Sequence, residues 1–517
     1  MSANRRCKGQ EAAARQFPPA CCCPGRQCPA LLLALLLAAG LVSQLGSATA
    51  AGAETARSTP RAADFPALAD AYRPIGDFLL GNTIVVGEGV PAETSDPGRS
   101  CDPIPALARV LAFEESDLFI CATADASQAI GTSQAGQEAQ ADPGQPAFVR
   151  RVLFLKPSIL VIDDVVRPTA SAGSLQWQVR CRSAATVAGR KLRIPGPGQE
   201  LVCETLWPAT GAFRKTPGPS KESESVFQVE VKPEANANGV RLLHVLQLRP
   251  AGEDGAPAKT VFENKDDRFE LVITTPDRTF RLSLPPPGAD PGRIAVEAAD
   301  GKTIVARRPL PAGVLPHGPE GVRLIERWDR AYRDGRQPGW DTGLVAEDLK
   351  QAVEEGVIRP CRTVVLGCGS GTNAVYLAGK GFDVTAIDVA PTALSIAEAK
   401  AEKAGVRVRW LLADVLAPPE LEPFDFIFDR GCYHNVRYVD AAAFVESVRR
   451  LSRPGTRFLI LSLNRDGPPG VREHHMRSDF SSLFAFQWLR DSGIRIGKDG
   501  ATRRESWSLM LRRKEEK

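Results

Sequence analysis

Histidine and methionine are scarce, with 5 and 3 in 517 residues, which leaves little raw material for a multi-histidine metal centre. Glu473-His474-His475 lacks zinc-site spacing, so no metal is expected. Excess charge is missing too. The chain has 65 Lys and Arg against 61 Asp and Glu, a net +4, too weak a field over this length for nucleic-acid binding. What is present is ordinary: 43% hydrophobic and 24% charged residues, values that exclude wholesale disorder and collagen-like repeats. The length suggests about two to four domains.

Residues 1–53 lack the grammar of a fold. Arg5, Arg6, Lys8, Arg15 and Arg26 precede an apolar run from Leu31 to Val42, and Ala48-x-Ala50 and Ala51-x-Ala53 follow it. That order reads as a secretory signal peptide. An uncleaved signal anchor is the rival, since no formal charge occurs between Arg26 and Glu54, a stretch long enough to span a bilayer. Cys21, Cys22 and Cys23 precede the run; a lipid-bearing cysteine would have to follow it. The expected address is therefore exported or membrane-anchored, or cytoplasmic if the true start lies downstream. Cys101, Cys121, Cys181 and Cys203 would permit two disulfides in an exported body without requiring them.

Two bodies with different patterning follow. From about Asn82 to Ala306 the chain reads as short strands, among them Phe148–Lys156, Ile159–Val166, Val226–Lys232 and Val240–Arg249, separated by breakers such as Pro195-Gly196-Pro197-Gly198. Period-two alternation with Gly/Pro turns predicts an antiparallel β-sandwich over residues 54–306. Residues 307–321 are rich in Pro and Gly and read as a linker. Over residues 322–517 strands and helices alternate: Thr363–Leu366, a Gly turn and a helix, Phe382–Ile387, the helix Pro391–Ala404, Val406–Trp410, Phe424–Phe428, a helix capped by Asp440, and Arg457–Leu463. Alternation of this kind predicts a Rossmann-like parallel sheet covered by helices.

The loop Gly367-Cys368-Gly369-Ser370-Gly371 leaves a strand and opens a helix. Glycines there admit a ligand close to the backbone, and the helix N-terminus offers free N–H groups. Thr372 stands where a dinucleotide fingerprint needs its third Gly, and the Gly-Lys-Ser/Thr of a Walker loop is absent. The spacing suits a nucleoside with an uncharged link in place of phosphates. Asp388 ends the next strand, where a carboxylate can accept both ribose hydroxyls, and Asp414 ends the third, where it can accept from an adenine amine.

With these residues in this order, residues 326–513 resemble a class I S-adenosylmethionine-dependent methyltransferase. The nearest resemblance is to the thiopurine and tellurite-resistance branch, on Trp328-Asp329-x-Ala331-Tyr332, Gly339-Trp340-Asp341, Gly367–Gly371, Phe424–His434 and Gly467-Pro468-Pro469. Many class I enzymes carry an acid two residues before the first loop Gly; here Val365 stands there. The resemblance implies S-adenosyl-L-methionine as cofactor and a small-molecule methyl acceptor. It also implies that Gly367, Cys368, Gly369 and Gly371 line the methionine half, Asp388 holds the ribose, Asp414 and Val415 flank the adenine, and Trp340 packs over the pocket. Asp429 and His434 would face the transferring methyl and serve as base for a neutral acceptor; a soft anion such as a thiolate needs none.

Residues 101–210 resemble the β-sandwich of heparinase II/III-type lyases, on Asp117–Ile120, Ala124–Ser127, Phe148–Pro157 and Val161–Asp164. The helical toroid that carries catalysis in such lyases has no counterpart, so a polysaccharide-contacting or purely structural sandwich is expected. Two functions compete: a small-molecule methyltransferase, and an exported carbohydrate-binding protein whose α/β body is degenerate. The intact loop with Asp388 and Asp414 favours the first; the export signal favours the second.

Overall fold

The structure is a computed structural model that describes residues 81–86, 109–127, 131–132 and, apart from short internal stretches, 148–515. The expected export signal and Cys101 lie outside the described residues.

Three sheets build the first body. The middle one has eight strands in the order Arg109–Glu115, Phe119–Asp125, Phe148–Leu155, Ile159–Val166, Val240–Pro250, Gln199–Trp207, Lys191–Pro195 and Thr186–Ala188, with every neighbouring pair antiparallel. One face shares a core with a five-stranded sheet through Trp177, Val179, Phe213, Phe227 and Val229. The other face shares a core with the five strands between Lys259 and Pro309, through Phe269, Leu271, Phe280, Leu282 and Ile294. With both faces covered, Phe148–Leu155 and Ile159–Val166 are buried along their whole length.

Those two strands nevertheless carry charges, and the charges pair across the sheet. Arg150 lies opposite Asp164 and Arg151 opposite Asp163. Arg150 donates twice to Asp164, at 2.6 and 2.7 Å, and Trp177 Nε1 adds a third bond at 3.2 Å. On the opposite face Asp163 accepts from Arg241 at 2.8 and 2.9 Å and from Arg151 at 3.3 Å. Cys121, Cys181 and Cys203 are buried, and burial pushes the Cys121 thiol up to about 12. No disulfide joins any two of these three, and Cys101, the fourth of the set, lies outside the described residues.

The segment expected as a linker has fixed structure. The strand Thr303–Pro309 runs into it. Beyond that strand, Pro311 pairs in parallel with Leu412 and Val314 with Phe113. Leu310 and Leu315 are buried, and helix α1, Gly318–Arg333, starts three residues after Leu315. Prolines and glycines here serve a closely packed crossing, which composition alone does not distinguish from a free tether.

The second body holds β1 (Arg362–Leu366), β2 (Asp383–Asp388), β3 (Arg409–Leu412), β4 (Phe424–Arg430), β5 (Ser452–Leu463), β6 (Phe484–Ile496) and β7 (Thr502–Arg513). They form one sheet in the order 3-2-1-4-5-7-6. β1 to β5 are parallel, and β7 enters antiparallel between β5 and β6. Helices α2 (Glu347–Glu354), α3 (Thr372–Gly379) and α4 (Pro391–Ala404) cover one face; α5 (Tyr433–Leu451) and α6 (Glu473–Phe480) cover the other. Strand order reverses between β1 and β4, which opens a crevice at their C-terminal ends.

Candidate active site

The crevice is built from turns that leave adjacent strands at one edge. Leu366 pairs with Ile387 and Asp429, and Asp388 pairs with Leu412. The glycine loop, Asp388, the Asp414 turn and the Asp429–His434 turn are therefore neighbours.

Gly367, Gly369 and Gly371 all have positive φ, at 58°, 54° and 77°, a region that L side chains rarely adopt. Space forbids side chains as well. A Cβ on Gly369 would lie 2.8 Å from the Tyr332 hydroxyl, and one on Gly371 would lie 2.6 Å from both Ala397 and the Trp410 ring. On Gly367 it would meet Cys432 Sγ at 2.7 Å. Helix α3 has no side-chain cap at its N-terminus, so its first N–H groups face the loop opening. From the far side Lys400 donates to Ser370 Oγ and Thr372 Oγ1, each at 2.8 Å. Cys368 and Cys432 are packed thiols held well above their ordinary pKa by burial.

Asp388 is buried and accepts from Gly369 N at 2.7 Å and Ala390 N at 2.8 Å. It thus pins the glycine loop and starts α4, while each carboxylate oxygen keeps a second lone pair for a hydroxyl. Burial raises its pKa against the pull of these bonds. Asp414 Oδ1 accepts from Leu416 N at 2.9 Å, and among the described residues Oδ2 has no protein donor. Val415 is buried in the core on the α5 side.

Trp340 is 44% exposed. Its indole N–H donates to the Tyr332 hydroxyl at 3.1 Å, and its ring meets Trp328 edge-on at 5.9 Å. An aromatic cover therefore stands against Gly369. Asp329 holds it to the first turn of α4 by accepting from Thr392 N at 2.7 Å and Thr392 Oγ1 at 3.0 Å. Tyr332, Asp329 and Lys400 have structural duties that the sequence reading did not assign. The first two stand inside the quoted Trp328–Tyr332 motif, whereas Lys400 gives no signal beyond its place on a helix.

Asp429 is fully buried and turned into its own turn, accepting from Cys432 N at 3.1 Å and Tyr433 N at 2.9 Å. Burial raises its pKa to about 7. His434 is buried, and its Nδ1 accepts from Leu463 N at 3.2 Å. A neutral ring that accepts at Nδ1 carries its proton on Nε2. Burial, with the Arg430 and Arg465 guanidiniums nearby, lowers its pKa to about 4. Arg430 donates to Trp340 O at 3.1 Å and Arg495 O at 2.8 Å. It also lines a shallow cleft with Thr342, Leu344 and Asp348. No cluster of three or more metal-ligating side chains occurs among the described residues.

Residues 364–455 match the family described as a methyltransferase domain. The chain is 24% identical to the 2-heptyl-1-hydroxyquinolin-4(1H)-one methyltransferase of Mycobacteroides abscessus, over 34% of this chain and 84% of that protein. It is 30% identical to the ubiquinone biosynthesis O-methyltransferase of Xylella fastidiosa, over 29% of this chain and 68% of that protein. It is 32% identical to the probable S-adenosyl-L-methionine-dependent methyltransferase TehB of Haemophilus influenzae, over 17% of this chain and 30% of that protein. A glycine cradle that side chains would fill, with acids ending the next two strands, fits S-adenosyl-L-methionine, and the chain belongs to the S-adenosyl-L-methionine-dependent methyltransferases.

Proposed function

We propose that the chain methylates a small, soft anion, a thiolate or a chalcogen anion. The observation that carries this reading is the hydrogen bond from Leu463 N to His434 Nδ1. With Leu463 N on Nδ1 the ring can donate from Nε2 but has no lone pair to offer. Asp429 directs both oxygens to backbone N–H groups. His434 thus offers no lone pair for a proton, and the Asp429 carboxyl is shut away from solvent inside its own turn, so an acceptor that arrives without a proton to lose fits this site best. The guanidiniums of Arg430 and Arg465, close enough to depress the ionisation of His434, favour an anion in the same place.

The cofactor, when bound, supplies a methyl on a sulfonium and needs no further activation by the protein. The glycine loop and the acids at the ends of β2 and β3 would bind and orient it: Gly367, Cys368, Gly369 and Gly371 against the methionine half, Asp388 at the ribose, Asp414 and Val415 at the adenine. Trp340 and Tyr332 would exclude water over the loop, which favours alignment of the nucleophile.

The test is methyl transfer from labelled cofactor to a panel of thiols, selenite, tellurite, amines and phenols across pH. The rate should follow ionisation of the acceptor, since the thiolate is the reactive form. His434→Asn should cost under about tenfold, whereas loss of a general base typically costs about 10²–10⁴-fold. A profile governed by an enzyme group and abolished in His434→Asn would overturn the reading.

We also propose that the antiparallel body is a heparinase-like sandwich with a structural or polysaccharide-contacting role, and that residues 1–53 export or anchor the chain. Glycan arrays on the purified protein test the first; fractionation with N-terminal sequencing tests the second.

A further inference from the structure

We propose that residues 311–315 form a strap that positions the adenine end of the cofactor site, so that this end depends on the antiparallel body. The inference rests on the reading of Asp414 as the adenine acceptor. β3 is the edge strand of its sheet and only four residues long, and Asp414 follows it by two residues. β2 supports β3 on its inner side, and Ala413 N donates to Asp388 O at 3.1 Å. Among the described residues the outer side is paired by the strap, where Ala312 N donates to Leu412 O at 2.9 Å. A Cβ on Gly313 would lie 3.5 Å from Ala413 Cβ and 3.3 Å from Pro419 Cδ, so the strap touches both sides of the Asp414 turn.

The other end of the strap belongs to the antiparallel body. Phe113 N donates to Gly313 O at 3.2 Å, and Leu315 N donates to Phe113 O at 3.0 Å. Phe113 sits in Arg109–Glu115, the edge strand of the eight-stranded sheet. It is fully buried, with the His317 ring edge-on at 5.6 Å. The strap thereby joins the exposed edges of two sheets, and unpaired edge groups are otherwise a liability. Flanking contacts fix the same alignment. Arg109 pairs with Glu420 beside the Asp414 turn at 2.7 Å. Ser395 of α4 donates to Arg307 O at 2.9 Å, and Arg293 donates to Glu398 of the same helix at 3.0 Å.

The test uses the full chain and calorimetry with S-adenosylhomocysteine and with its inosine counterpart, which lacks the exocyclic amine. Ala312→Pro removes the N–H given to Leu412, and Gly313→Val presses on Ala413 and Pro419. Each should weaken S-adenosylhomocysteine roughly tenfold, the scale of one hydrogen bond's positioning, and the inosine counterpart less than about threefold. Equal losses for both ligands would mark general destabilisation and overturn the proposal. Asp414→Ala reports separately on the underlying reading. If it binds S-adenosylhomocysteine normally, Asp414 does not hold the adenine; if it binds weakly while both strap variants bind as the parent, the strap does not position it. A second measurement needs no variant. Coupling is reciprocal, so S-adenosylhomocysteine should slow hydrogen exchange at the Ala312 and Leu315 amides, and exchange there that ignores a ligand protecting the glycine loop would overturn the proposal.

Discussion

Asp429 and His434 occupy one turn, yet burial drives their ionisation in opposite directions. An unfolded aspartate titrates at about 3.9 and an unfolded histidine at about 6.5. In the fold Asp429 holds its proton to about 7, so its contribution to stability falls as pH rises from about 4 to 7. His434 stays neutral down to about 4, so its contribution is lost as pH falls from about 6.5 to 4. The two slopes oppose each other across the shared window. Asp429→Asn should leave stability rising with pH there, and His434→Asn should leave it falling, each by up to about 1.4 kcal/mol per unit. Denaturant midpoints between pH 4 and 8 check this; curves parallel to the parent would rule it out. At this scale the residue types were legible but their duties were not. Asp429 and His434 stand where a methyl acceptor would come, yet which way each side chain turns depends on Tyr433 N and Leu463 N, which no spacing reveals.

Helix α5 shows what pattern reading catches and misses among the elements. Asp440 has extended backbone angles inside it, and its carboxylate accepts from Ala443 N at 2.8 Å. The cap expected at Asp440 is there, but a further helical stretch from Tyr433 precedes it. That stretch carries Tyr433, whose hydroxyl donates to Asp479 at 2.7 Å and fixes α6. Asp440→Ala should cost about 1 kcal/mol, the usual worth of such a cap, in denaturant unfolding. No loss would mean that packing holds the kink without the cap. The strand Ile159–Val166, a continuous apolar run at its start, has the bounds that its pattern predicts. Arg109–Glu115, Arg293–Ala298 and the β6–β7 hairpin carry no such local pattern. Their charged residues face solvent or partners on other elements, so local pattern is weak where tertiary pairing decides.

For the whole molecule, the division into a strand-rich body and an α/β body was visible in the change of period, but their joint was not. A Pro/Gly-rich stretch suggests a protease-sensitive tether. Leu310 and Leu315 are instead buried, and backbone bonds run from the stretch to both sheets. Limited proteolysis should therefore spare residues 310–315 until the chain unfolds. Early cleavage there, mapped by mass spectrometry, would contradict the packing. A reading by period cannot find such a joint, because Pro311 and Leu412 are far apart in sequence and nothing local marks either as a partner.

The charges buried in the eight-stranded sheet constrain how this sequence can change over time. Arg150 and Asp164 are both fully shielded from water. Replacing Arg150 alone by Met strands a carboxylate and should cost about 3–5 kcal/mol, whereas an apolar pair of similar volume is often neutral. Arg150→Met with Asp164→Leu should recover most of that loss, less the roughly 1–3 kcal/mol of the Trp177 N–H left without its acceptor. Thermal unfolding of the three proteins measures the difference. Drift at these positions must then cross a valley or move by two substitutions together. Arg150 and Asp164 are inherited as one character, and a lineage that altered only one of them would need a compensating change before the sheet could fold.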